Sequence, residues 1–196
     1  MPLVLVVVLV AALAVMCISL LSATRAYVSG ESQWSRAQKT ATHYLTRYAE
    51  SRSPADWKRY REAIEVPLGD RRAREELDKP HPDLAVVRAG FITGLNHPDD
   101  IPGVIRLHLW FRGVTFMRRA IDIWAEGDVH IAELNNAAEA LRHAVEAGAD
   151  AAALAPLRER IHEIDARLTP LEERFSATLG EAARTAYHLL VGTVVL

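Results

Sequence analysis

The stretch Leu154-Ala-Pro-Leu157-Arg-Glu-Arg-Ile161-His-Glu-Ile164-Asp-Ala-Arg-Leu168-Thr-Pro-Leu171-Glu-Glu-Arg-Phe175 sets an apolar side chain at alternating steps of three and four. That spacing keeps all of them on one stripe of a 3.6-residue helix and is incompatible with a strand, whose repeat is two. Thr169-Pro170-Leu171-Glu172 taken alone is a helix start, yet the stripe passes through it in phase. The expectation is one kinked but continuous helix, regular from about Pro156. Beyond Phe175 the register shifts by one through Leu179, Ala182, Ala186 and Leu189.

The same period appears upstream. Met117, Ile121, Trp124, Asp128, Ile131, Leu134, Ala138, Leu141 and Val145 mark a long helix from about Val114 to Ala147. Gly148-Ala149-Asp150 should end it, with Gly148 as the terminator and Asp150 as the next cap. At the other end of the chain, Leu13, Leu20, Tyr27, Trp34, Ala37, Ala41, Tyr44 and Tyr48 form a seam weakened only at Gly30. Ser51-Arg52-Ser53-Pro54-Ala55-Asp56 reads as a stop followed by a start: Ser53 caps, Pro54 takes the first position and Asp56 stands at the capping-box site.

A second helix is expected from about Pro54 to Val66, with Trp57, Tyr60 and Ile64 as its stripe. Pro67-Leu68-Gly69-Asp70 should break it, Asp70 capping a short charged helix that reaches Lys79. Leu84, Val87, Phe91 and Leu95 follow at helical spacing after Pro80 and Pro82. Asn96-His-Pro-Asp-Asp-Ile-Pro-Gly103 reads as an ordered loop entering a helix over Val104–Arg112. No run of period two is sustained anywhere, so the fold class is all-α. The long helices are matched, at about 42, 51 and 46 Å outside the apolar ends. The architecture expected is a membrane-anchored up-down four-helix bundle with an elaborated second element of short helices.

Pro2 to Thr24 contains no charged side chain. As a helix it would span roughly 34 Å, enough for a ~30 Å hydrocarbon core. Residues 2–24 are therefore read as a transmembrane helix. A cleavable signal peptide would call for a basic start and a shorter apolar core, although Ser22-Ala23 and Thr24-Arg25-Ala26 could be cleaved. The apolar run Tyr187–Leu196 would cover roughly 15 Å, half a bilayer, and reads as the start of a second span. Residues 25–186 then form an extracytoplasmic helical-bundle sensor domain, and the chain reads as the N-terminal part of a longer protein. Arg25, Arg36 and Lys39 just after the first span would favour a cytoplasmic bundle, but domains beyond ~60 residues translocate largely regardless of charge.

Composition narrows the function. A net charge of −2 over 196 residues argues against nucleic acid as a partner, since that needs a basic face. Arg outnumbers Lys, which occurs only at 39, 58 and 79, and with abundant Ala this is the composition of a GC-rich bacterial genome. Cys17 is the only cysteine and lies in the first apolar run, so neither an intrachain disulfide nor a Cys zinc site outside it can form. Gly-x-Ser-x-Gly, a phosphate-binding glycine loop and paired metal carboxylates are all missing from the sequence, so no catalytic residue, metal ligand or cofactor is assigned.

The densest polar group is Asn96, His97, Asp99 and Asp100, with Arg106, His108 and Trp110 just after. As a ligand site, its acids and His97 would face a cation or amine and Arg106 a carboxylate. The plainer reading, which is preferred, is turn building and helix capping. Asp128 falls on the apolar seam beside Gly127, where a carboxylate must be paired, protonated or solvated. It either marks a polar cavity or meets solvent where the helix loosens at Gly127. Tyr44, Tyr48, Trp57, Tyr60 and Trp124 read as core rather than a ligand cage. His81, His143 and His162 read as surface.

Three stretches carry a resemblance: Trp57-Lys-Arg-Tyr-Arg-Glu-Ala-Ile-Glu-Val-Pro-Leu-Gly-Asp70, Asn96–Gly103, and Leu168-Thr-Pro-Leu-Glu-Glu-Arg-Phe-Ser-Ala-Thr-Leu-Gly-Glu-Ala182. With an anchor before and a span after, they resemble the extracytoplasmic helical sensor regions of bacterial transmembrane signalling proteins, those ahead of GGDEF and EAL domains or of histidine kinases. The resemblance implies an input module without chemistry of its own, in the inner membrane with its bundle in the periplasm. It also implies a homodimer that binds a small-molecule or protein ligand and passes the signal to a cytoplasmic output domain acting on cyclic-di-GMP or by phosphorylation. Two alternatives stand beside it: a soluble periplasmic helical binding protein with a cleaved signal peptide, and a chemoreceptor input domain.

Overall fold

Local signals place most of the helix ends. The computed structural model describes residues 2–194 and the side chains of 22–181, 183 and 184, with Val4, Val7 and Val8; the described residues form six helices and no strand. These are α1 (Pro2–Ser51), α2 (Pro54–Leu77), α3 (Leu84–Thr93), α4 (Ile101–Phe111), α5 (Thr115–Glu146) and α6 (Ala151–Val194). Between α1 and α2 the chain turns at Arg52, in left-handed conformation with φ 54°, and the Ser53 hydroxyl accepts from Ala55 N at 3.3 Å. Asp56 does not close a capping box; its carboxylate accepts from the Ser51 hydroxyl at 2.7 Å and lies 3.4 Å from Arg47.

After α5, Ala149 N donates to Ala144 O and Gly148 N to Val145 O, both at 3.0 Å. Gly148 has φ 79°, so the pair is a Schellman motif in the αL position that glycine takes without a Cβ penalty. Asp150 then accepts from Ala153 N at 2.8 Å and starts α6 at Ala151, ahead of the expected Pro156. Leu154, 1 % exposed, holds that first turn in the core. α6 runs through Pro170 without a break, as its stripe requires.

The break expected at Pro67 does not occur: α2 continues through it to Leu77, and no separate helix begins at Asp70. An interior proline costs about 3 kcal/mol. On either side of it Ile64, Val66, Ala73 and Leu77 are buried and hold the helix together. Gly69 serves contact rather than termination. A Cβ there would meet Gly90 O at 2.8 Å, and one at Gly90 would meet Ala73 N and Gly69 O at 2.8 Å, so α2 and α3 touch backbone to backbone.

Cross-helix pairs fix the directions. Glu50 meets Arg158, Lys39 meets Asp165 and Ser35 meets Glu172, so α6 runs antiparallel to α1. Arg160–Glu133 and Arg174–Glu126 make α5 and α6 antiparallel. Tyr60–Asn135 and Arg74–Asp128 do the same for α2 and α5, and Arg47–Asp56 and Arg59–Tyr44 for α1 and α2. α3 lies on α2, and α4 lies on α1.

Two apolar cores result. One joins Ala41, Leu45, Tyr60, Ile64, Ile131, Leu134, Leu141, Ile161, Ile164 and Leu168. The other joins Ala23, Tyr27, Leu77, Val87, Phe91, Ile101, Val104, Met117 and Leu179. The aromatic stripe divides between them. Tyr48 and Tyr60 are buried in the first, Tyr44 and Trp57 pack on it, and Trp124 packs on the second.

Among the described residues no helix is long and apolar enough to cross a membrane. Most side chains of the expected span 2–24, including Leu13, Leu20 and Cys17, and all those of 187–196 lie outside the described residues.

Candidate functional site

The two cores do not merge, because the layer between them is polar and partly open. On α1, Gln38 Nε2 donates to Thr42 Oγ1 at 3.1 Å and to Asp165 Oδ1 at 2.9 Å. Lys39 Nζ donates to the same Asp165 Oδ1 at 3.1 Å and to Thr169 Oγ1 at 2.6 Å. One helical turn nearer the second core is a cavity of about 60 Å³. Counted as all space between atoms, the open solvent at its mouth included, it reaches about 590 Å³.

Every helix lends the cavity a wall. α1 contributes Tyr27, Gly30, Glu31 and Trp34, four positions on one helical face, and α6 contributes Leu171, Glu172 and Phe175. α5 adds Ile123, Trp124 and Gly127; Asp70, Phe91, Asn96 and Val104 come from α2, α3, the α3–α4 loop and α4. Trp124 sits at the centre of the aromatic set, its ring 6.4 Å from Tyr27, 6.3 Å from Phe91 and 6.4 Å from Phe175. The walls are thus aromatic and apolar, interrupted by three carboxylates and one amide.

The carboxylates are poorly compensated. Glu172 Oε2 accepts from the Ser35 hydroxyl at 2.8 Å, while its Oε1 is buried with no protein hydrogen-bond partner, as is Trp34 Nε1. Burial, and then the neighbouring Glu172 charge, hold the Glu31 carboxyl above its ordinary range. Burial likewise raises Glu172, against the pull of the Ser35 hydroxyl and Lys39. Asp70 is raised furthest, by burial and by Asp128, although its Oδ1 accepts from Asn96 Nδ2 at 2.9 Å.

Asn96 owes its position to strained backbone. Leu95 takes the left-handed conformation at the end of α3, φ 60°, where glycine is usual. Asn96 N then donates to Phe91 O at 3.0 Å, and the Asn96 amide nitrogen reaches Phe91 O, Gly94 O and Asp70. Gly30 faces it: a Cβ at that position would lie 2.7 Å from Asn96 Oδ1. The weak point of the α1 seam is therefore the place where a side chain from the loop meets the helix.

Behind the cavity a polar chain runs along the second core, buried at Tyr27, His108, Arg74 and Asp128 and reaching the surface at Asp78. The Tyr27 hydroxyl lies 3.3 Å from His108 Nδ1, and His108 Nε2 lies 3.5 Å from Asp78 Oδ1. Asp78 accepts from Arg74 Nη1 at 2.8 Å, and Arg74 Nε donates to Asp128 Oδ2 at 2.5 Å. Burial pushes His108 down, more than the Asp78 carboxylate raises it, which keeps the imidazole neutral.

Of the residues singled out in the sequence, the structure brings Asn96 to the cavity and buries Asp128 just behind Gly127. Asp128 is 2 % exposed and α5 is unbroken at Gly127, so this carboxylate does not meet solvent. His97 and Asp99 stand 3.8 Å apart on the surface, and Asp100 lies 3.8 Å from Arg25. Arg106 and Trp110 are exposed on α4. The loop acts largely as turn chemistry, with Asp99 N donating to His97 Nδ1 and Asp100 N to His97 O.

The sequence does not single out Glu31, Glu172 or Arg74, and it marks Asp70 only as a helix cap. Signals existed: Glu31 is four residues after Tyr27 and three before Trp34, on the seam itself, and Glu172 adjoins Leu171 on the α6 stripe. Comparison of the chain with protein-family models, curated proteins and solved structures returns no match.

Proposed function

We propose that residues 25–186 are the periplasmic sensory input module of a bacterial transmembrane signalling protein: an up-down four-helix bundle of α1, α2, α5 and α6, elaborated by α3 and α4. Residues 2–24 anchor it in the inner membrane, a second span begins at 187, and the output domain lies beyond it. One observation carries the reading: α1 and α6, the helices that bear the two charge-free apolar runs, face each other across the cavity. Being antiparallel, they carry those runs out of the bundle at the same end. The exposure of Val4, Val7 and Val8 on α1 fits an apolar surroundings for the first run.

A ligand seated between Glu31 and Glu172 contacts both helices. It shifts their relative position by its difference in affinity for two arrangements of the bundle, and a coupling of about 1–3 kcal/mol is enough for a useful switch. Pro170 directly precedes the cavity residues Leu171 and Glu172. Lacking an N–H, it leaves the Ala166 carbonyl without its helical partner and makes this, with the turn at Pro156, a readily bent part of α6.

Expression of the chain in a bacterial host tests the membrane reading. It should stay with the membrane after an alkaline carbonate wash and be cut by protease added to spheroplasts. Release by the wash would defeat the anchor, and protection from the protease would put the bundle on the cytoplasmic side.

A further inference from the structure

We propose that the cavity takes a small organic cation, an amine or quaternary ammonium group carrying a few carbon atoms, held against Trp34 and Trp124 and paired with Glu31 and Glu172. This names the ligand class of the site on which the sensory reading rests.

Three features of the walls point to it. Indole rings attract cations through the ring quadrupole, the more strongly where water is excluded, and Trp34 and Trp124 line the cavity from α1 and α5. Glu31 and Glu172 share this apolar space, where two carboxylates repel each other and lose hydration. No lysine or arginine lines the cavity, and Lys39, whose charge pulls on Glu172, is itself bonded to Asp165 and Thr169.

Other ligand classes fit less well. An anion would meet Glu31, Glu172 and Asp70 with no positive group among the lining residues. A neutral apolar molecule would fill the aromatic part and leave the buried Glu172 Oε1 unpartnered. A cation meets both demands at once. The small enclosed volume, about 60 Å³, favours a compact cationic head over a large ring system.

The test uses the whole chain in detergent, with tryptophan fluorescence, to which Trp34 and Trp124 contribute beside Trp57 and Trp110, as the readout. Choline and tetramethylammonium should bind saturably. The neutral isostere 3,3-dimethylbutan-1-ol should bind at least about tenfold more weakly, a difference of about 1.4 kcal/mol, and acetate should not bind. In the double variant Glu31→Gln/Glu172→Gln, choline affinity should fall at least about tenfold while the isostere is unaffected and the helical circular dichroism is unchanged. If the isostere binds wild type as tightly as choline, the site reads shape and not charge: the cationic class is overturned, while the cavity keeps its role as a ligand site. If cations and isostere alike fail to bind at millimolar concentration, the ligand class and the site reading fall together.

Discussion

Arg74 Nε donates to Asp128 Oδ2 at 2.5 Å across the space between α2 and α5, closing 54 residues of chain with a buried ion pair. Only the arginine end has a second partner. Arg74 also serves Asp78, and Asp128 Oδ1 has no hydrogen-bond partner. Charges taken out of water at this depth are tolerated only as a pair. Loss of one partner leaves the other uncompensated, so Asp128→Ala and Arg74→Met should each cost about 3–5 kcal/mol by urea unfolding. The double variant Arg74→Met/Asp128→Leu should recover much of that loss. Single variants that cost under about 1 kcal/mol would show that water reaches the pair.

The same pair predicts a slope of stability with pH. Burial outweighs the pull of Arg74 and Arg71 and, with Glu75 adding to it, holds the Asp128 carboxyl at about 6, above its ordinary 3.8. The folded state therefore binds its proton more tightly than the unfolded state does. Stability contributed by this group is present below the unfolded value and is lost as pH rises toward 6, by about 3 kcal/mol in all. Asp70, raised by burial and by Asp128 against the Asn96 hydrogen bond, acts in the same direction. Asp128→Asn should flatten the fall in unfolding free energy between pH 4 and 6; an unchanged slope would mean that the carboxylate stays ionised when folded.

Contact between α2 and α3 gives a second, independent check. A methyl group added at Gly90 would press on the backbone of Ala73 and Gly69 at 2.8 Å, and backbone cannot swing aside as a side-chain tip can. Gly90→Ala should cost about 1–3 kcal/mol through forced separation of the two helices, read as a lowered melting temperature. Gly113→Ala, where nothing lies within 4 Å of the added atom, is the control and should change little.

The signalling reading turns on Pro170. In a protein carrying the cytoplasmic output domain, Pro170→Ala restores one backbone hydrogen bond to the turn that precedes Leu171 and Glu172. Basal output should shift in one direction while the bundle stays folded. If stability, basal output and stimulated output all equal those of wild type, the turn is not a hinge.

Helix content, the cap at Ser53, the Gly148–Asp150 turn and the unbroken passage through Pro170 were all readable from residue order, because each depends on neighbours within about four positions. Ile161, Ile164 and Leu168 are buried for the same reason: a stripe at steps of three and four can face only one way. Pro67-Leu68-Gly69-Asp70 misled, because a turn and a helix contact use the same letters. Gly69 looks like a terminator until Gly90 is seen against it.

The cavity was out of reach in the same way. Glu31 and Glu172 are 141 positions apart, and nothing local to either reports that antiparallel packing of α1 and α6 brings both to one cavity. His108 and Asp128 are seen as buried only once α4 and α5 have docked. Periodicity says which residues share a face of one helix; which faces meet, and what space they leave between them, depends on the volumes and charges of side chains far apart in the chain.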